Sequence, residues 1–65
     1  MYQSVKRALE KMLKEEGYSY LFTVIKNNIP VRIYYSSISL EYAAIFPATE
    51  NFGFIAKWQT YPDTL

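Results

Sequence analysis

At Gly17 the spacing of apolar side chains changes period, and that change decides what the chain can fold into. Before it, Tyr2, Val5, Leu9, Met12 and Leu13 fall on one side of a helix turning about 100° per residue, with Ala8 at the margin. After it, Tyr18, Tyr20, Phe22 and Val24 alternate with Ser19, Leu21, Thr23 and Ile25, which is the period of a strand. The first pattern predicts an amphipathic helix over residues 3–16, with Ser4 at its N-cap and Gly17 as the left-handed residue that ends it. With Gly17 one position past the cap, Leu13 and Tyr18 stand where a Schellman motif makes its hydrophobic contact.

The strand period recurs, with breaks, as far as residue 59. Residues 18–26 are rich in β-branched and aromatic side chains. Asn27 and Asn28 tolerate the positive φ of a tight turn, and Pro30 suits the start of a second strand over residues 30–36. Apolar residues are then odd-numbered at Val31, Ile33 and Tyr35 but even-numbered at Ile38, Leu40, Tyr42, Ala44 and Phe46. A one-residue slip moves every side chain to the other face, so a bulge or turn near Ser36-Ser37 must reset the phase. Strands are predicted over residues 38–46 and 52–59, with a loop from Pro47 to Asn51 and a frayed tail over residues 60–65. A short helix over residues 39–46 is the alternative to the third strand. The expected fold is α+β, α-β-β-β-β in order: one domain, residues 1–65, with the helix packed on an antiparallel sheet of three to four strands.

With 65 residues, such a domain buries only about 60% of the surface its unfolded chain exposes. Small domains compensate with disulfides, metals, dense packing or self-association. The chain has no cysteine and no histidine, so aromatic packing has to serve: seven Tyr, four Phe and one Trp are present. The same absence excludes zinc sites of thiolate and imidazole, histidine-dependent triads and cysteine nucleophiles. Two glycines, Gly17 and Gly53, are too few for a P-loop or a dinucleotide fingerprint. Glu15 and Glu16 are adjacent on a helix, so they point apart and form no acid/base pair. Neither an enzyme, a cofactor nor a metal is expected. The charged N-terminal segment carries no apolar core of signal-peptide type, and no apolar run reaches the roughly 20 residues that span a bilayer. A soluble, unprocessed, cytoplasmic protein is the expectation.

The stretch Phe52-Gly53-Phe54-Ile55 resembles the centre of the base-stacking strand of RNA-recognition and cold-shock domains. The likeness spans about eight positions and implies a nucleic-acid platform. Glu50 stands where the motif has a basic residue, Asn51 replaces its first glycine, and Lys57 its closing aromatic. A carboxylate beside a platform repels phosphate. Phe52, Phe54, Ala56 and Trp58 share one face of a strand, which is therefore read as core beneath the helix.

That assignment leaves two surfaces for function. The opposite sheet face would show Leu21, Thr23, Ile25, Arg32, Tyr34, Ile55 and Lys57, apolar enough to be covered by a protein partner or a second copy. On the back of the helix, Arg7, Lys11 and Lys14 form a basic stripe suited to nucleic acid or an acidic partner. The formal net charge is only +1, although residues 1–14 hold four cations against Glu10 alone. The expected function is a non-catalytic protein-binding module, self-associating as a homodimer, acting as a small assembly factor or a steric inhibitor. Small cysteine-free domains of this class occur among phage and mobile-element accessory proteins. Single-stranded nucleic-acid binding through the helix stripe and exposed aromatics is the alternative.

Overall fold

The structure, a computed structural model, describes residues 2–49 and 52–63. Helix α1 (Tyr2–Glu15) precedes β1 (Ser19–Lys26), β2 (Ile29–Ser36), β3 (Glu41–Thr49) and β4 (Phe52–Trp58). The strands form one antiparallel sheet in chain order, and α1 lies across β3 and β4. This is the α-β-β-β-β, α+β arrangement that the periods predict.

Local chemistry accounts for most of the boundaries. The Tyr18 amide donates to the Leu13 carbonyl at 2.9 Å and the Gly17 amide to the Lys14 carbonyl at 3.1 Å, with Gly17 at φ 93°. These are the two bonds of a Schellman cap, and Leu13 and Tyr18 share the core beside it. Asn27 and Asn28 have φ of 52° and 64°, the signature of a two-residue type I′ hairpin turn between Lys26 and Ile29. The phase reset is a turn over residues 37–40. The Leu40 amide donates to the Ser36 carbonyl at 2.8 Å, the Ser39 amide donates to Ser36 Oγ at 3.0 Å, and Leu40 has φ 57°.

Four boundaries differ from the expectation. The third strand begins at Glu41 rather than at residue 38, because residues 37–40 make the turn. The helix already includes Tyr2, so Ser4 lies within it rather than at its start. Pro47 and Thr49 extend β3 rather than opening a loop, opposite Gly53 and Phe52, with a register shift between them. A proline is tolerated in a strand at such an irregularity. Glu50 and Asn51, the rest of the expected loop, lie outside the described residues. Finally, Tyr61 does not fray: its ring meets Tyr42 at 5.6 Å and Phe22 at 6.0 Å. The last two residues of the expected tail, 64 and 65, lie outside the described residues.

The larger correction concerns the faces of the sheet. Leu13, Tyr18, Tyr34, Ala43 and Ile45 form the buried cluster under the helix, with Leu9 and Ile55 packed against it. Val31, Ile33 and Ala44 form a second cluster on the opposite face, with Val24, Tyr42, Phe46, Trp58 and Tyr61 packed against it. The helix thus sits on the face expected to be open. The face carrying Phe54, Ala56 and Trp58, expected to lie beneath it, has no helix over it. Within β1 a bulge between Tyr20 and Phe22 divides the strand. Tyr20 pairs beside Tyr34 on the helix side, whereas Phe22 pairs beside Ile33 on the other, so the four alternating residues from Tyr18 to Val24 do not share a face.

Candidate interaction surfaces

The residues singled out from sequence as a sheet interface separate into two groups. Tyr34 is 1% exposed, and its hydroxyl donates to Glu10 Oε2 at 2.9 Å. Arg32 Nη1 donates to the same oxygen at 2.8 Å, and its guanidinium lies 5.2 Å from the centre of the Tyr20 ring. Burial first, and then the Glu10 hydrogen bond, push the Tyr34 hydroxyl up to about pKa 12. Ile55 packs against the cluster under the helix, and Lys57 Nζ donates to Glu16 Oε1 at 2.8 Å beside the Tyr18 ring. The hydrogen bond it donates to Glu16 holds the Lys57 ammonium above its ordinary pKa. Arg32, Tyr34, Ile55 and Lys57 therefore dock the helix, and Tyr34 is no surface contact.

Leu21, Thr23 and Ile25 remain exposed because they belong to β1, at the edge of the sheet and beyond the reach of the helix. Seven of the eight β1 residues are exposed, and Val24 is half-buried. Phe22 is 44% exposed and Ile25 68%, on opposite faces of the strand. A long apolar edge strand of this kind presents unpaired backbone donors and acceptors beside sticky side chains. Its one charge, Lys26, stands at its end.

The face away from the helix is the surface that sequence reading misplaced. Phe46 and Phe54 stack with centroids 5.0 Å apart and planes 9° from parallel, and Trp58 meets Phe46 edge-on at 6.5 Å. Tyr35, Tyr42 and Tyr61 continue the aromatic layer toward Phe22. Phe54 is 48% exposed. By strand alternation Lys26 is the one charged residue among the described residues of this face.

Arg7, Lys11 and Lys14 are exposed on the back of α1, as their spacing predicts, with Glu15 beside them. Glu10, which sequence spacing sets against Lys14, turns instead to Arg32 and Tyr34. A groove of about 210 Å³ runs between Lys6, Pro30, Arg32, Ile45 and Pro47. That is below the roughly 300–1,000 Å³ of small-molecule sites. Among the described residues no three carboxylates gather to hold a metal ion, and no helix is long and apolar enough to cross a membrane. Comparison of the chain with known protein families, curated proteins and solved structures gives no match.

Proposed function

We propose that this domain is a non-catalytic protein-binding module that associates through its sheet, by the β1 edge and the aromatic face next to it, and that it self-associates. The observation carrying this reading is the exposure of β1 along its length, with Tyr20, Leu21, Phe22 and Ile25 all in the open. A small monomer rarely leaves so much contiguous apolar surface in water, and an uncovered edge strand invites pairing. Occupying that surface on a larger protein would suit an assembly factor or a steric inhibitor. Phe22 is the place to test it, because its side chain is half exposed and its replacement leaves both buried clusters in place. Phe22→Asp is expected to shift sedimentation velocity toward the monomer, with the dissociation constant raised at least about tenfold, as loss of one interface anchor of about 1.4 kcal/mol or more requires. An unchanged oligomer with an intact circular dichroism spectrum would refute the surface.

Single-stranded nucleic acid is the second reading, and the exposed stack of Phe46 and Phe54 is what favours it. A strand gripped this way needs cations along the same path as the stacked bases. Here the aromatics and the stripe of Arg7, Lys11 and Lys14 lie on opposite sides of the sheet, in a molecule 15 Å thick along its shortest axis. That separation favours the protein reading.

A further inference from the structure

We infer that the groove between the N-terminal half of α1 and the Asn27-Asn28 end of the sheet binds a carboxylate carried on a short hydrocarbon chain. The site lies on the helix side of the sheet and is independent of the association proposed for β1.

Pro30 and Arg32 alternate onto the helix side of β2, and Ile45, which pairs with Arg32, alternates with Pro47 onto that side of β3. Together with Ile29 they wall a space of about 210 Å³. Drug-sized molecules need more room, but a chain of several carbons does not. Among the described lining residues, Asn28 at the hairpin turn is the one uncharged polar side chain. Two of the walls are prolines, which carry no amide N–H. A peptide backbone entering here would give up water for few partners, whereas a hydrocarbon chain has no hydrogen bonds to lose.

Lys6 supplies the preference for an anion. It lines the groove and also the adjoining cleft that it shares with Arg7, Glu10 and Arg32. It is half-buried, yet it makes no hydrogen bond, ion pair or ring contact among the described residues. Glu10, four residues further along α1, bonds to Arg32 and Tyr34 instead. Charges taken partly out of water are ordinarily paired, so the Lys6 ammonium lacks the anion that its setting calls for. Arg32 is already held by Glu10, which leaves Lys6 as the partner of the ligand's carboxylate, with the chain lying between Pro30, Ile45 and Pro47. One half-buried ammonium matches a singly charged head better than a phosphate, which carries nearly two charges at neutral pH.

The test titrates the isotope-labelled protein with hexanoate, octanoate and decanoate, each below its micelle concentration, and follows amide shifts by NMR. Saturable shifts are expected at Lys6, Ile29, Arg32 and Ile45. Affinity should rise by up to about fourfold per added methylene until the groove is full, the factor that burial of one CH₂ provides. Octyltrimethylammonium, an equal chain with the opposite charge, should not saturate these shifts. Lys6→Gln keeps a good helix former, and with an unchanged circular dichroism spectrum it should weaken octanoate by about tenfold. Shifts that never saturate, or that centre on Phe54 and Trp58, would overturn the site. Equal binding of octyltrimethylammonium, or of octanoate to folded Lys6→Gln, would overturn the role of Lys6. N-acetylleucine binding more tightly than octanoate would overturn the hydrocarbon chain as occupant. None of these readouts depends on the oligomeric state, so the β1 association can fail without them.

Discussion

One oxygen of Glu10, in the middle of the helix, accepts the Tyr34 hydroxyl at 2.9 Å and Arg32 at 2.8 Å, joining α1 to β2. This pair of bonds ties the helix to the face of the sheet that it covers, beside the packing of Leu9 and Leu13. Both faces offer apolar residues to a helix, and this one adds a buried hydroxyl and a guanidinium within reach of Glu10. Glu10→Ala leaves the Tyr34 hydroxyl buried without its acceptor and Arg32 without its anion. Loss of about 2–3 kcal/mol is expected by urea denaturation, more than the removal of a typical exposed ion pair at 0–1 kcal/mol. A change within that exposed-pair range would mean that the tether does not hold the helix.

The same bond predicts alkaline behaviour. Tyr34 is raised from 10.0 to about 12 in the folded chain, so the fold binds its proton more tightly than the unfolded chain does. Its contribution is complete below pH 10 and is lost as pH rises toward 12, by up to about 2–3 kcal/mol. Tyr18, raised by burial and by its bond to Glu41, and Lys57, raised by Glu16, act in the same direction. Tyr34→Phe is expected to cost about 1–2 kcal/mol at neutral pH and to make the loss above pH 10 shallower, leaving the share due to Tyr18 and Lys57. Denaturation midpoints at stepped pH check this, and an equally steep alkaline loss in Tyr34→Phe would contradict it.

Gly17 separates two effects of adding a Cβ. At φ 93° any other L-residue is strained, by roughly 1–2 kcal/mol. The added atom would also stand 3.1 Å from Ile38 Cδ1, but Ile38 is 81% exposed and can swing away. The backbone term should therefore dominate. Gly17→Ala is expected to lower stability by about 1–2 kcal/mol, and adding Ile38→Ala should recover almost none of it. Full recovery in the double variant would show that the collision, not the conformation, set the loss.

How far the fold was legible in the sequence follows from which signals were local. The helix end at Gly17, the Asn27-Asn28 turn and the phase reset after Ser36 each rest on residues within a few positions of one another, and all three are present. The choice of face was not local. Tyr34, Ala43 and Ile45 on one side and Val31, Ile33 and Ala44 on the other are equally apolar, so alternation could not say which the helix would cover. The bulge at Leu21 was hidden for the same reason, because residues suited to burial flank it on both sides. A signal was available in the charges: Glu10 and Glu16 on the helix match Arg32 and Lys57 on one sheet face. Pairing these would have assigned Tyr34 and Ile55 to the core and left β1 as the candidate edge.

The hairpin at Asn27-Asn28 gives a prediction opposite in sign to that at Gly17. Both residues hold positive φ, and a type I′ turn prefers glycine at its second position. Asn28→Gly is expected to raise stability by on the order of 0.5 kcal/mol, and Asn28→Ala to lower it by about 1 kcal/mol, since alanine lacks asparagine's tolerance of this region. Thermal midpoints in the reverse order would exclude the assigned turn.

Separation of the aromatics from the basic stripe gives the last prediction. Trp58 belongs to the face away from the helix, in edge contact with Phe46, and so reports on anything that stacks there. Arg7, Lys11 and Lys14 face the other way, with Glu15 beside them, while Glu10 bonds to Arg32 and Tyr34. Any weak attraction of nucleic acid to the stripe would leave Trp58 untouched. Titration with mixed single-stranded DNA and RNA at low salt should therefore leave tryptophan emission flat. The triple reversal of Arg7, Lys11 and Lys14 to Glu should leave the proposed self-association, measured by sedimentation, unchanged. Salt-sensitive quenching of Trp58 that the triple reversal abolishes would overturn this, because it would require one strand to engage both sides of the sheet.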